Sequence, residues 1–152
     1  MRYGRVSPCI GVCSTTYGDL VCRGCNRFAH EVVQWNGYDD GQRDAIWGRL
    51  EELRDGSLAG VLSNERVGML CAAAESVKIR DRAGLSDASL AYEVLRRLAM
   101  RRMPLPWGRS EAVVNEGNKR LSSAREILSV INREFHNRSL ATYERSYRIP
   151  AE

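Results

Sequence analysis

Ser7-Pro-Cys-Ile-Gly-Val-Cys13 and, after eight intervening residues, Cys22-Arg-Gly-Cys25 form the stretch on which the organisation of this chain turns. Four of the five cysteines fall between residues 9 and 25, a density that incidental thiols do not explain. A soft metal ion wants deprotonated sulfur. Zinc sites commonly draw cysteine pairs spaced by two to four residues from two loops. Gly11 and Gly24 sit inside the two pairs, where glycine permits positive φ and lets backbone N–H groups turn toward sulfur. Arg23 and Arg27 are cations that would favour thiolate. Cys9, Cys13, Cys22 and Cys25 are therefore the expected metal ligands. All-cysteine tetrahedral zinc is a closed, structural arrangement. Iron–sulfur clusters also take four thiolates, but the spacing matches neither common ferredoxin run. The spacing thus favours zinc and leaves an iron–sulfur cluster as the alternative.

The rest of the composition is ordinary. Of 152 residues, 43% are hydrophobic and 28% charged, which fits a folded globular chain. No apolar run approaches the ~20 residues of a membrane-spanning helix, and the N-terminal residues lack the apolar core of a secretory signal. A soluble cytoplasmic protein with no membrane partner is expected. An odd cysteine count in that compartment argues against a disulfide framework. Residues 1–59 carry 7 arginines against 8 acidic groups, net −1, whereas residues 60–152 are net +5.

The expected fold class is mainly α: a small irregular tetracysteine metal-binding module followed by a helical bundle. The cut is placed near residue 58, giving a module at 1–58 and about three helices in 59–152. A short helix is predicted from about Arg27 to Trp35. Asp39-Asp40 offers capping oxygens to a helix from about Gly41 to Asp55, and residues 56–63 read as a linker. Ser63 or Asn64 caps a helix to about Arg80. Ser86 opens another from Asp87 to Met103, stopped by Pro104. A long helix is predicted from Ser110 to about residue 140. There Val114, Gly117, Leu121, Ala124, Leu128, Ile131 and Phe135 alternate by three and four residues, as in a coiled-coil seam. That stripe would pack on the chain's own helices or form a homodimer through residues 114–135. A loose tail is expected over 146–152.

Ser7-Pro-Cys-Ile-Gly-Val-Cys13 and Cys22-Arg-Gly-Cys25, together with Arg27, Glu31, Trp35, Arg43 and the helix bearing Trp47, resemble the bacterial family called domain of unknown function 1289. The resemblance covers roughly residues 5–54. It implies a short cytoplasmic protein with a tetracysteine metal or iron–sulfur site, its ligands being Cys9, Cys13, Cys22 and Cys25. The chain departs from the family at Asn26, where glycine is usual, and at Phe28-Ala29-His30.

Other candidates carry less. Cys71, mid-helix beside Leu70 and Ala72, reads as a small buried hydrophobe. His30 is a spare ligand that four cysteines make unnecessary, and His136 has no catalytic partner in the sequence. Trp107 reads as a core plug. Asp39-Asp40 and Glu51-Glu52 are better explained by capping and a solvated face than by acid–base chemistry, and no nucleophile-elbow or phosphate-loop motif is present. Arg96, Arg97, Arg101 and Arg102 form a basic helical stretch that would meet phosphates if the chain bound nucleic acid. The expected function is a metal-binding adaptor that engages a protein partner and is no enzyme. Its alternatives are an iron–sulfur redox or cluster-carrying protein and a nucleic-acid-associated regulator using the basic helices.

Overall fold

A computed structural model describes residues 7–79, 84–108, 113–114 and 120–147. Five α-helices account for most of them: α1 Ala29–Gln34, α2 Asp40–Ala59, α3 Asn64–Ala72, α4 Asp87–Met100 and α5 Ala124–Tyr147. The only strands among the described residues are β1 Val113–Val114 and β2 Arg120–Leu121. The protein is mainly α, as its sequence implies.

The chain divides into two compact units, one made of Met1–Leu53 with Glu134–Glu152 and the other of Arg54–Arg133. The expected boundary lies near residue 58, with nothing after it in the cysteine module. The second unit is built around leucine, isoleucine and valine side chains at helical spacing. On α4, Ala91, Val94, Leu95 and Leu98 are buried together, the i, i+3, i+4, i+7 pattern of one helix face. Leu70 of α3, then Ala74, Val77 and Ile79, and Leu121, Ala124, Ile127 and Ile131 complete the same core. Leu58 and Leu62 also belong to it, both nearly or wholly buried. Residues 56–63 are therefore not a linker: Gly56–Ala59 continue α2, and the apolar side chains beside them fill the interior. Trp107 is buried in this core as expected, with the Arg66 guanidinium 5.0 Å from its ring centroid.

Serine and aspartate set the helix starts. The Asp39 carboxylate accepts from the Gln42 N–H at 2.8 Å and the Gln42 amide oxygen accepts from the Asp39 N–H at 2.9 Å, a reciprocal cap for α2. Ser63 caps α3 and Ser86 caps α4 through their hydroxyl oxygens. Asp55 binds the Ser86 and Ser89 hydroxyls, tying the end of α2 to the start of α4 within the second unit. The helix predicted to reach Arg80 stops at Ala72. Turns follow it, and Lys78 has φ +59, a left-handed value that no α-helix continues through.

The largest departure lies at the predicted long helix from Ser110. Val113–Val114 pair antiparallel with Arg120–Leu121, in the register Val113↔Leu121 and Val114↔Arg120. Two successive valines are stiff at χ1 and suit a strand. Asn115, Gly117 and Asn118 are turn formers, although residues 115–119, and Gly117 of the expected stripe with them, lie outside the described residues. The helix begins instead after Ser123, whose hydroxyl accepts from the Glu126 N–H at 3.1 Å. On α5 it is Ile127, not Leu128, that is fully buried, alongside Ala124 and Ile131. Of the described seam side chains, Leu121, Ala124, Ile131 and Phe135 are buried and Leu128 is half-buried against the core. Of the predicted tail, 148–152 lie outside the described residues.

Candidate metal centre

Among the described residues before α1, the first unit has a 3₁₀ turn at Ser14–Tyr17 and an isolated bridge between Val21 and Phe28. Within that bridge, the Cys22 N–H donates to the Arg27 carbonyl at 2.9 Å and the Asn26 N–H to the Cys22 carbonyl at 2.8 Å. The resulting tight loop presents Cys22 and Cys25, both buried. The loop closes at Asn26, whose φ is +63. Glycine enters that region freely, and asparagine is among the few other residues that tolerate it. Asparagine at this position therefore keeps a turn that glycine would also allow. It also adds a contact, because Asn26 Oδ1 lies 2.7 Å from His136 Nδ1.

Three contacts lay the first cysteine pair across the second. The Arg23 N–H donates to the Ser14 hydroxyl at 2.8 Å. The Cys22 thiol donates to the Val12 carbonyl at 3.4 Å. The Val12 carbonyl also passes so close to Gly24 that a Cβ there would sit 2.5 Å from it. Gly24 is needed for that close approach, whereas Gly11 has the positive φ the sequence reading anticipated, +89. The Gly11 N–H accordingly donates to Cys9 Sγ at 3.3 Å.

This crossing governs the thiols. Burial pushes the Cys22 thiol up, but the backbone N–H groups of Cys25, Ser14 and Gly24 and the Cys25 side chain outweigh it and bring Cys22 down to about 7. Donors aimed at a sulfur favour its charged form. Hydrogen bonds from the Thr15 and Thr16 side chains lower Cys13, and Cys22 is near enough to oppose them electrostatically. Burial raises Cys25 despite the Arg27 Nε–H, which donates to its sulfur at 3.2 Å. Cys22 is thus a neighbour of both Cys13 and Cys25. Cys9 is exposed, and its described contacts are backbone N–H bonds with Ser7 and Gly11. No group of three or more His, Cys, Asp or Glu among the described residues stands ready to hold a metal ion. The donor set and its N–H environment nonetheless suit a soft cation.

The surroundings carry charge that spacing could not reveal. Glu31, buried, accepts from the Phe28 N–H at 2.8 Å and takes a two-pronged pair from Arg49, with Nη1 2.7 Å from Oε2. Arg43 donates to the Trp35 carbonyl through Nε and Nη2, both at 3.1 Å, and its Nη1 lies 3.9 Å from Asp40. Trp35, Ile46, Leu50 and Phe135 form the small apolar cluster beneath. Tyr143 and Tyr147 of α5 meet the Phe28 ring edge-on, and His30 packs tilted against Phe28 and edge-on to Tyr147.

Residues 7–54 match the family described as Protein of unknown function (DUF1289). The resemblance read from the cysteines and Trp35 is confirmed over that third of the chain. Comparison with curated proteins and with solved structures finds no match.

The remaining candidates lie in the second unit. Cys71, half-buried, donates to the Asp87 carbonyl at 3.3 Å, and burial raises its thiol. Arg97 Nη1 donates to the Val77 and Lys78 carbonyls at 3.0 and 3.1 Å, and Arg96 pairs with Glu93 at 3.3 Å. Arg101 and Arg102 are exposed where α4 ends. No helix among the described residues is long and apolar enough to cross a membrane.

Proposed function

We propose that this chain is a small cytoplasmic metal-binding adaptor in which Cys9, Cys13, Cys22 and Cys25 hold one structural zinc ion. The observation that carries the proposal is the convergence of the Ser14, Gly24 and Cys25 N–H groups on the Cys22 sulfur, beside Cys13 and Cys25. A cysteine brought to about 7 is substantially thiolate at neutral pH, which is the form a metal takes. A bound zinc ion would cross-link the 9–13 and 22–25 loops. Among the described residues before residue 28 few apolar side chains are buried, Val21 chief among them, so ligation would supply folding free energy that burial does not. Cys9 would complete the set by moving in from its exposed position. The loop it organises carries Ile10, Val12, Tyr17 and Leu20 on its surface, an apolar face suited to a protein partner.

Metal and sulfide analysis of freshly purified protein tests the reading. One zinc per chain without iron or sulfide is expected. Iron with inorganic sulfide would replace zinc by the alternative occupant, a four-thiolate cluster. Protein free of both would overturn the proposal.

A further inference from the structure

Each described arginine between residues 7 and 53 faces an anion or a sulfur that can become one. Arg23 meets Asp19, Arg43 meets Asp40 and Arg49 meets Glu31. Arg27 is more deeply buried than any of them, at 4% exposure. No carboxylate among the described residues lies within ion-pair distance of it. Its Nε–H donates to Cys25 Sγ at 3.2 Å, and its guanidinium lies 5.0 Å from the Trp35 ring centroid. The Trp35 face gives a cation some support, but far less than is lost by taking a guanidinium out of water. The buried carboxylate of the small core, Glu31, is already held by both prongs of Arg49. A buried guanidinium in these surroundings wants a formal negative charge, and the sulfur cluster is where one would arise. Four thiolates around a divalent ion leave two negative charges to be offset by their surroundings.

We infer that Arg27 is the counter-cation of the sulfur centre, a positioning residue that holds Cys25 by its Nε–H and offsets the charge of the loaded thiolates. The inference rests on the metal-binding reading above and deepens it. Arg27 binds no metal itself. It acts through Cys25, and partners of metal ligands of this kind tune affinity by roughly 10–100-fold. Its fork is fixed from the far side by the Trp35 ring, which also lies 5.7 Å from Arg43, so the aromatic face orders both cations.

The test compares the full chain with Arg27→Gln, Arg27→Lys and Arg43→Gln, using zinc competition against a chromophoric chelator and the sulfur-to-cobalt charge-transfer absorption after cobalt(II) loading. Arg27→Gln should lower zinc affinity by roughly 10–100-fold and move the charge-transfer band to longer wavelength, because the sulfur electron pairs lose a stabilising cation. Arg27→Lys should restore most of both. Arg43→Gln removes a charge that touches no sulfur and should leave the band in place. An unmoved band and unchanged affinity in Arg27→Gln would overturn the inference while leaving the metal site standing. If Arg27→Gln does not fold, Arg27→Lys decides: wild-type affinity supports a charge role, and loss of binding shows that shape rather than charge matters and overturns it. Wild-type protein that takes up neither zinc nor cobalt removes the metal-binding reading itself, and this inference with it.

Discussion

The two units solve the same stability problem by different means. Arg54–Arg133 encloses a core of sixteen apolar side chains among its described residues, from Leu58 to Ile131, and its fully buried polar residues are small serines such as Ser57 and Ser89. The cysteine unit has a cluster of four, Trp35, Ile46, Leu50 and Phe135, and buries Asn26, Arg27, Glu31 and Arg43 around it. Apolar burial is non-directional and tolerates rearrangement. Buried charge is expensive unless every member is paired. The first kind of interior makes a scaffold. The second fixes one arrangement of a short, glycine-rich loop, and it is fragile because each member depends on the next.

The sharpest break in that comparison is removal of one sulfur. Cys22→Ser should open the cysteine loop through about residue 37, while α3 and α4 stay folded on their own core. Limited proteolysis read by mass spectrometry, with circular dichroism for helix content, checks this. Cleavage confined to the N-terminal region is expected, and a protected N-terminus in the variant would show that apolar and ionic contacts suffice without the fourth sulfur. The reverse experiment is Leu95→Ala in the second unit. Leu95 is completely buried on α4, and truncation should cost about 2–5 kcal/mol in denaturant unfolding. Metal content should be unchanged in material that remains folded.

How much of this was legible depended on distance along the chain. Ser86 and the stripe Leu90, Val94 and Leu98, with Ala91 and Leu95 beside it, announce α4, because cap and face are both local. Asp39 with Gln42 does the same for α2. The heptad from Val114 to Phe135 misled because Leu121 belongs to a strand, yet happens to fall on the register of the helix that follows. Val113-Val114 and the turn formers after them argued for a hairpin, and Ser123-x-x-Glu126 marked the true helix start. The cysteine loop was legible in its cysteines and in Gly11. The role of Gly24 was not, since the atom that excludes a side chain there comes from Val12, in the other cysteine pair. Least visible was the covering of Phe28 by Tyr143 and Tyr147, from the far end of the chain.

Gly24→Ala sharpens the contrast at lower cost. Its Cβ would meet a backbone carbonyl, which cannot turn aside as a side chain could. Overpacking of this kind costs about 1–3 kcal/mol, and here it would push the 9–13 segment off the 22–25 loop. Weaker zinc retention against a chelator, with the unfolding of the second unit unaffected, is the expected result. Wild-type retention would mean that the two loops do not need to cross.

The smallest effect is a pH dependence confined to the cysteine unit. His136 is held below its usual range, chiefly because burial penalises the imidazolium, with the Arg23 cation adding to it and Asp19 opposing. Its Nδ1 is bonded to Asn26 Oδ1, on the loop that ends the second cysteine pair. A histidine whose folded pKa is depressed takes up its proton more readily when unfolded. The stability it contributes is therefore complete above the unfolded value of about 6.5, and it fades as pH falls through the folded value. Hydrogen exchange of amides around Asn26 should accelerate, relative to the α4 core amides at the same pH, as pH drops below that range. His136→Gln should flatten the dependence, because no group then changes charge at that contact. An identical pH profile in the variant would move the sensitivity elsewhere, to the thiols themselves, and would leave Asn26–His136 as a tie that acts equally in both protonation states.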